Sequence, residues 1–360
     1  MDLSALGWTP GLAEAFAPHA AKGLVPARVA LEHTHIYRVA TGKSEWLARV
    51  VGRLRHLATS RVDYPAVGDW VAVEPPSHGG DARIRAVLPR SSRFSRRAAG
   101  DPTEEQIVAA NIDTVFLVGG LDRDFNPRRI ERYLVVAWES GASPVVVLNK
   151  ADLADDPETF VEEVRRLAPA VPVHAVSCRV PGSLDVLRTY LGQGRTGALL
   201  GSSGVGKSTI VNQLVGYDLL HTRDVRVADS RGRHTTTARQ LVLLPDGGVL
   251  IDTPGLRELQ LWDTGGAIRS TFGDVEALAE TCRFRDCRHR DEPGCAVREA
   301  VEAGELAEER VASYHKLRDE QEYQTRQQDE RAQLEEKRRA RIGSKALKKF
   351  LKQKDRRRVE

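Results

Sequence analysis

Short runs in which apolar and polar residues alternate fill the chain from about residue 26 to residue 93. Such alternation is typical of strands with one buried face, and Gly, Pro and Asp separate the runs. Five short strands in succession favour a small barrel, with an OB-fold first, although strand counting leaves other small β modules open. The predicted strands cover 28–31, 35–39, 46–51, 69–73 and 83–88.

Strand-like and helix-like patterns alternate from residue 112 onward, after a polar and basic link at 91–97. This alternation predicts an α/β core with a parallel-rich sheet and helices on both faces. Strands are predicted at 112–118, 144–148, 171–176, 196–200, 240–244 and 249–251, and helices at 128–139, 158–167, 183–191 and 207–215.

The two ends of the chain have different patterns. Residues 1–25 are Ala-rich and contain Trp8 and Phe16, which favours a short helix. From residue 301 the chain is charged and poor in Gly, which predicts one long helix. Its first half has a packing face made of Leu306, Val311, Tyr314 and Leu317.

Charge is concentrated near the C-terminal end. Twelve Lys or Arg lie between residues 337 and 360, against Asp355 and Glu360, although the whole chain carries a net charge of only +4. Such a segment favours a polyanion such as nucleic acid. A solvated, disordered tail without a specific partner is the alternative.

Composition indicates a soluble globular protein, with 41% hydrophobic and 29% charged residues among 360. No apolar run approaches the roughly 18 residues that a membrane span requires. The first residues lack the basic and then apolar pattern of a secretory signal, so we expect a cytoplasmic protein.

A phosphate loop of the GxxxxGKS type follows the strand at 196–200 and precedes the helix at 207–215. Its glycines let backbone N–H groups turn toward phosphate oxygens, and the helix N-terminus favours negative charge. We expect Lys207 to reach the β- and γ-phosphates and Ser208 to bind Mg²⁺. The expected nucleotide-binding residues here are Gly201, Ser202, Ser203, Gly204, Val205, Gly206, Lys207, Ser208 and Thr209.

A second motif, NKxD, identifies the nucleotide as GTP. Asp152 can accept hydrogen bonds from guanine N1–H and the 2-amino group, and adenine has neither donor. Ser177, after the strand at 171–176, fits a second loop that contacts guanine. The motif itself consists of Asn149, Lys150, Ala151 and Asp152.

The order of these two motifs is reversed. Most GTPases have the phosphate loop first and the guanine motif last, whereas here residue 149 precedes residue 201. This order points to a circularly permuted GTPase domain.

A DxxG sequence follows the strand at 249–251. Asp252 is expected near Mg²⁺ and the Gly255 N–H near the γ-phosphate, and Thr236 or Thr237 is expected to complete the magnesium shell. Leu256 occupies the position where many GTPases carry a Gln that orients water, so intrinsic hydrolysis should be slow. His234 is the catalytic candidate, and a role in RNA contact or loop shape is its alternative.

Three thiols and one imidazole cluster between residues 282 and 295. In a cytosolic chain such spacing favours a metal site over disulfides. A set of three Cys and one His without an open position suits structural Zn²⁺. The expected ligands are Cys282, Cys287, His289 and Cys295.

Together, the permuted order, the RGRHTTT and DTPG segments and the cysteine cluster resemble the RsgA (YjeQ/YloQ) family. The resemblance covers roughly residues 25–320. It implies a late assembly factor of the small ribosomal subunit, with an OB-fold, a permuted GTPase core, a mainly helical zinc domain and subunit-stimulated activity.

The resulting expectation is a GTPase whose partners are the small subunit, its rRNA and GTP or GDP, and which is a monomer. The alternative is a binding module in which nucleotide only tunes RNA affinity. A membrane or signalling GTPase has no lipid anchor or span to support it. The expected segments are an extension at 1–25, the OB-fold at 26–97, the GTPase domain at 105–262, the zinc domain at 265–325 and a basic tail at 326–360.

Overall fold

A computed structural model describes most of the chain up to residue 333. The residues it describes are 2–33, 36–58, 60–77, 80–98, 101–122, 124–217, 219, 240–252, 265–327, 329–330 and 333. Among them, no helix is both long and apolar enough to cross a membrane. Most of the predicted basic tail lies outside these residues.

The first domain is a closed five-stranded barrel. Its strands are β1 (Val25–His33), β2 (Ile36–Ala40), β3 (Glu45–Val50), β4 (Trp70–Glu74) and β5 (Ala82–Val87). They follow the order β1-β2-β3-β5-β4, and β4 pairs back with β1. Only β3 and β5 run parallel within the barrel. All five predicted strands are confirmed, and the order is that of an OB-fold.

Alternate residues of these strands fill the barrel. Val29, Tyr37, Val39, Val71 and Ile84 are buried together in its core. Two short helices, α2 (Gly52–Leu57) and a 3₁₀ turn at Arg61–Asp63, connect β3 to β4.

The N-terminal segment covers one side of the barrel. A 3₁₀ turn (Ser4–Leu6) precedes α1 (Pro10–Ala20), where Thr9 accepts a hydrogen bond from the Leu12 N–H as N-cap. The Trp8 ring meets Trp70 edge-on at 4.7 Å, and Phe16 packs in the same cluster. The predicted short helix is therefore confirmed, and it closes a second small core.

Arg28 joins the N-terminal segment, the barrel and the GTPase domain. Its side chain is buried, and the guanidinium donates to the carbonyls of Gly68 (3.1 Å), Asn111 (3.0 Å) and Leu6. The guanidinium also lies 5.7 Å from the centre of the Trp70 ring. Burial lowers the Arg28 pKa to about 10, so the group remains charged at neutral pH.

Replacing Arg28 with Met should destabilise the protein by about 2 kcal/mol or more. The apolar chain fills the space but leaves the Leu6 and Asn111 carbonyls without their donor, at about 1 kcal/mol or more each, whereas the Gly68 carbonyl still accepts from Asn111 Nδ2. Urea unfolding followed by fluorescence measures the effect. Arg49→Met, which removes an exposed ion pair with Asp81, should cost less than about 1 kcal/mol. Equal effects of the two substitutions would contradict the bridging role of Arg28.

The predicted link at 91–97 is wrong in its local structure. Residues Arg93–Ala98 form β6, which pairs antiparallel with β7 (Asp101–Ala110) in a separate two-stranded sheet. Phe94 and Val108 of the hairpin join the core of the GTPase domain. The β6 strand was not predicted because it contains mainly basic and polar residues, and so shows little alternation of apolar and polar positions.

In the part of the chain that the structure describes, the GTPase core is a six-stranded sheet that continues the barrel through one pairing, Leu31 with Gln240. Its order is β10-β9-β8-β11-β13-β12, with only β12 antiparallel to its neighbour. The predicted parallel-rich sheet is confirmed. The strands are β8 (Thr114–Gly120), β9 (Ser143–Asn149), β10 (Val173–Ala175), β11 (Thr196–Gly201), β12 (Gln240–Leu243) and β13 (Val249–Asp252).

Helices cover both faces of this sheet. Val115 and Leu117 face one apolar cluster, whereas Phe116 and Val118 face another, as alternation along a strand requires. The predicted helix at 183–191 is wrong in extent, because only α5 (Asp185–Arg188) is helical and turns flank it. The other core helices are α3 (Pro127–Ser140), α4 (Pro157–Leu167) and α6 (Lys207–Val215).

The C-terminal part is helical around the cysteine cluster. It contains α7 (Gly265–Thr271), α8 (Gly273–Ala279), α9 (Ala296–Glu302) and α10 (308–327). The single helix predicted from residue 301 is wrong, since Gly304 has φ +75° and separates α9 from α10. The predicted packing face is confirmed, because Leu306, Val311, Tyr314 and Leu317 are all buried.

Arg310 fastens α10 to the GTPase core. Its guanidinium binds both oxygens of Asp274 at 2.5 and 2.7 Å and Glu131 Oε1 at 2.8 Å. Glu131 lies on α3, as does Arg132, which forms a two-point ion pair with Glu320 of α10. The helical C-terminal part therefore packs directly on α3.

Candidate functional site

Both nucleotide motifs lie at one edge of the sheet. The phosphate loop follows β11, the guanine motif follows β9, and β8 separates these two strands. All three strands are parallel, so their carboxyl ends share an edge, which is where open α/β sheets bind ligands. The sheet brings together motifs whose order in the chain is reversed.

The phosphate loop requires Gly at residue 206. Gly206 has φ +95°, and a Cβ there would lie 2.3 Å from the Asn149 amide nitrogen. That amide donates to the Val205 carbonyl at 2.8 Å, so the first residue of the guanine motif binds the phosphate loop. Lys207 Nζ donates to the Gly201 carbonyl at 2.7 Å and to the Ser202 carbonyl.

The remaining loop residues follow the expected course. Ser203 and Gly204 are exposed at the tip, and Val205 is buried beneath them. Ser208 and Thr209 lie in the first turn of α6, half-buried. A helix N-terminus behind a tip of exposed backbone is suited to a phosphate group.

Asp152 is the carboxylate of the guanine motif. It accepts a hydrogen bond from Ser177 Oγ at 2.6 Å, and Arg179 Nη1 lies 3.4 Å from its other oxygen. The Ser177 hydrogen bond lowers the pKa of Asp152 and so favours the ionised acceptor. The Ala151 N–H donates to the Val176 carbonyl at 3.0 Å, which ties the guanine motif to the loop that carries Ser177.

Two residues at this edge of the sheet were not predicted as site residues from the sequence. Asp122 binds Lys150 of the guanine motif, and Asp124 binds Ser202 of the phosphate loop. Neither belongs to a recognised GTPase motif. Their only sequence signal is their position directly after a buried strand, where parallel sheets gather functional side chains.

The magnesium side of the site is described only in part. Asp252 ends β13, which is paired with β11, so it lies beside the phosphate-loop strand. The predictions for His234, Thr236, Thr237, Gly255 and Leu256 lie outside the described residues.

The four metal-ligand candidates form a compact cluster. Their donor atoms all lie within 4.8 Å of one another. His289 Nδ1 is 3.5 Å from the sulfurs of both Cys282 and Cys295, and these sulfurs are 4.0 Å apart. Tetrahedral zinc would separate such ligands by roughly 3.5–3.8 Å. The cluster therefore fits a closed four-coordinate metal site, and none of its thiols is in a disulfide.

The surrounding loop holds these ligands in place. His289 has φ +60°, and its carbonyl lies 3.2 Å from His315 Nε2 of α10. The Glu292 carboxylate accepts the N–H groups of Arg288 (3.0 Å) and Arg290 (2.9 Å). These hydrogen bonds lower the pKa of Glu292 to about 2. The ionised Glu292 side chain thus holds the backbone of this loop.

Comparison with known proteins identifies the family. The RsgA GTPase family model matches residues 87–262, and a model described as 50S ribosome-binding GTPase matches residues 196–334. A relative from Opitutus terrae, small ribosomal subunit biogenesis GTPase RsgA, is 51% identical over 91% of this chain and 92% of its own length. The chain belongs to the RsgA GTPase family. A relative of the same name from Methanosarcina acetivorans is 44% identical over 96% of this chain and 92% of its own.

Two solved structures, YjeQ and YloQ, have a fold similar to that of this chain. YjeQ from Thermotoga maritima is 28% identical and matches with a TM-score of 0.60, covering 82% of this chain and 97% of that chain. YloQ, a circularly permuted GTPase, is 22% identical and has a TM-score of 0.58, with coverage of 86% and 96%. The chain is a GTPase with the circularly permuted fold, as its motif order predicted.

Substitution of Asp152 by Asn should change the base preference. The amide loses one acceptor for guanine but can donate to the 2-oxo group of xanthine. GTP affinity should fall by about 10²-fold or more, since two hydrogen bonds to a charged acceptor are weakened. Competition binding with GTP and xanthosine triphosphate measures this change. Asp155→Asn, on the exposed surface three residues later, is the matched control. An unchanged GTP preference would contradict the assignment.

Proposed function

We propose that this chain is a late assembly factor of the small ribosomal subunit, whose GTP hydrolysis is stimulated by the subunit and triggers its own release. The observation that carries the proposal is the assembly of a phosphate loop and a guanine motif at one sheet edge. The partner comes from the relatives, which are named for small ribosomal subunit biogenesis and resemble this chain along most of their length.

GTP would occupy the edge between β9 and β13. Asn149, Lys150, Ala151, Asp152 and Ser177 would surround the base, and residues 201–209 would surround the phosphates. Ser208 and Asp252, with Thr236 or Thr237, would hold the Mg²⁺ that accompanies GTP, and Gly255 would contact the γ-phosphate.

Intrinsic hydrolysis would be slow. Leu256 has no group that orients water, so a polar group must come from elsewhere. We assign this role to His234, because an imidazole can orient or deprotonate water near neutral pH. The subunit would increase turnover by fixing the segment that carries His234.

The Cys₃His cluster would hold one structural Zn²⁺ per chain, bound by Cys282, Cys287, His289 and Cys295. Four protein ligands leave no open position, so the ion would supply a covalent-like tie between loop and helix rather than chemistry. The arginines of this loop and the basic segment at 337–358 would face rRNA.

We further propose the division into segments 1–25, 26–97, 105–262, 265–325 and 326–360, a monomeric state and a cytoplasmic location. The β6–β7 hairpin bridges the second and third segments, because it pairs within itself and packs into the GTPase core.

GTP turnover with and without purified small subunits tests the main proposal. Stimulation by small but not large subunits is the expected result, and equal rates would overturn the proposal. The competing function is a nucleotide-tuned rRNA-binding module without an essential hydrolysis step. Release from subunits with GTP and with a non-hydrolysable analogue separates the two, because the module would dissociate equally with both.

A further inference from the structure

The loop between β8 and α3 lies between the two nucleotide motifs. We call residues 121, 122 and 124–126 the β8–α3 loop. Because β8 stands between β9 and β11 in the sheet, the loop has the guanine motif on one side and the phosphate loop on the other. The Leu121 N–H donates to the Asn149 carbonyl at 2.7 Å, which anchors the start of the loop against the guanine motif.

Asp122 contacts the guanine-motif side. Its Oδ2 atom lies 2.5 Å from Lys150 Nζ, and both side chains are 28% exposed. Its other oxygen accepts the Asp124 N–H at 3.0 Å. Lys150 has φ +63°, so its backbone already occupies a constrained conformation. The ion pair adds a fixed position for the ammonium end of the same residue.

Asp124 contacts the phosphate-loop side. Its Oδ2 atom accepts from Ser202 Oγ at 2.6 Å, and its Oδ1 atom accepts from Arg129 Nη1 at 2.7 Å. Arg129 also donates to Ser202 Oγ at 3.0 Å, which closes a three-membered network. The carbonyl of Ser202 receives the Lys207 ammonium group. Asp124 therefore holds Ser202 in place, and the Ser202 carbonyl in turn accepts a hydrogen bond from Lys207.

We propose that Asp122 and Asp124 are positioning residues for the guanine nucleotide, Asp122 acting through Lys150 on the base and Asp124 through Ser202 on the phosphates. This inference rests on the proposed GTP site. Because Lys150 lies on the base side, Asp122 sets the affinity for GTP and GDP alike and leaves kcat unchanged. Because Ser202 supports Lys207, Asp124 sets kcat.

A double-mutant cycle tests the first half. Asp122→Asn should raise the Kd for a fluorescent GDP by about tenfold, the loss of one charge-assisted contact. In a Lys150→Met background the same substitution should change the Kd less than about twofold, because the partner is gone. Asp122→Glu, which keeps the carboxylate, should recover most of the affinity. Additive effects, or no rescue by Glu, would overturn the role of Asp122.

Turnover kinetics test the second half. Asp124→Asn should lower kcat about tenfold at saturating GTP, and Ser202→Ala should reproduce this loss without adding to it. A loss confined to KM, or an additive double mutant, would overturn the role of Asp124. Asp81→Asn, which removes an exposed ion pair with Arg49 on the barrel, is the matched control and should leave both constants unchanged.

GTP binding and turnover by the wild-type protein distinguish failure of this inference from failure of the proposed function. If wild-type protein does not bind or hydrolyse GTP, the proposed function fails. If wild-type protein turns over GTP but both cycles are additive, only the positioning roles of Asp122 and Asp124 fail.

Discussion

Lys207→Ala should reduce GTP turnover by about 10²–10³-fold, the usual cost of removing one group that stabilises developing phosphoryl charge. Lys207 Nζ is held at the Gly201 carbonyl, inside the loop that would surround the phosphates. No other lysine belongs to the phosphate loop. Phosphate release from GTP, measured without subunits and again with them, should show the loss in both conditions.

Lys22→Ala is the control for this result, because it removes an exposed lysine just after α1. Its turnover should equal that of the wild-type protein. A Lys207→Ala protein that kept near-normal turnover would remove the phosphate loop from the mechanism. The defect should persist at saturating GTP, since the contact strengthens as charge develops on the transferred phosphoryl group.

Cys295→Ala should abolish metal binding and disorganise the helices around the cluster. Cys295 is buried, and its sulfur lies close to both Cys282 and His289. Structural zinc supplies about 10–16 kcal/mol of apparent binding free energy in small zinc domains. Losing one ligand should therefore remove most of the folding free energy that metal binding supplies to this part of the chain. Metal content by mass spectrometry should fall from one ion per chain to nearly none, and residues 265–327 should become sensitive to protease.

Cys178→Ala is the matched control, since Cys178 is half-buried beside Asn149 and lies outside the metal cluster. It should retain the ion. Basal GTP hydrolysis should survive in Cys295→Ala, whereas stimulation by subunits should be lost. Retention of a full complement of metal would contradict the ligand assignment. A loss of both basal and stimulated activity would indicate that the metal loop also supports the nucleotide site.

Periodic patterns predicted most regular elements, because they depend on local alternation of buried and exposed positions. The bounds of four barrel strands and of the helix at 207–215 are confirmed to within one residue, whereas β1 (Val25–His33) is longer than the predicted 28–31. Elements in short, basic or turn-rich segments were not predicted correctly. The β6 strand carries mainly polar residues, and the break between α9 and α10 depends on one left-handed residue, Gly304. Neither feature produces a periodic signal.

The sequence by itself determined the chemistry of the site. Its motifs predicted the phosphate loop, the guanine motif and the Cys₃His set of candidate metal ligands, because each chemistry requires particular residue types at particular spacings. Motif order alone was enough to predict the permuted fold, which the family and the strand order then confirmed.

Only the tertiary structure decided which other residues serve that chemistry. Asp122 and Asp124 meet Lys150 and Ser202 because β8 lies between β9 and β11, a neighbourhood that sequence separation conceals. Arg28 and Arg310 likewise bind residues that lie far away along the chain, and so hold distant segments together. Local spacing encodes a ligand set, whereas long-range contacts exist only once the sheet order is fixed.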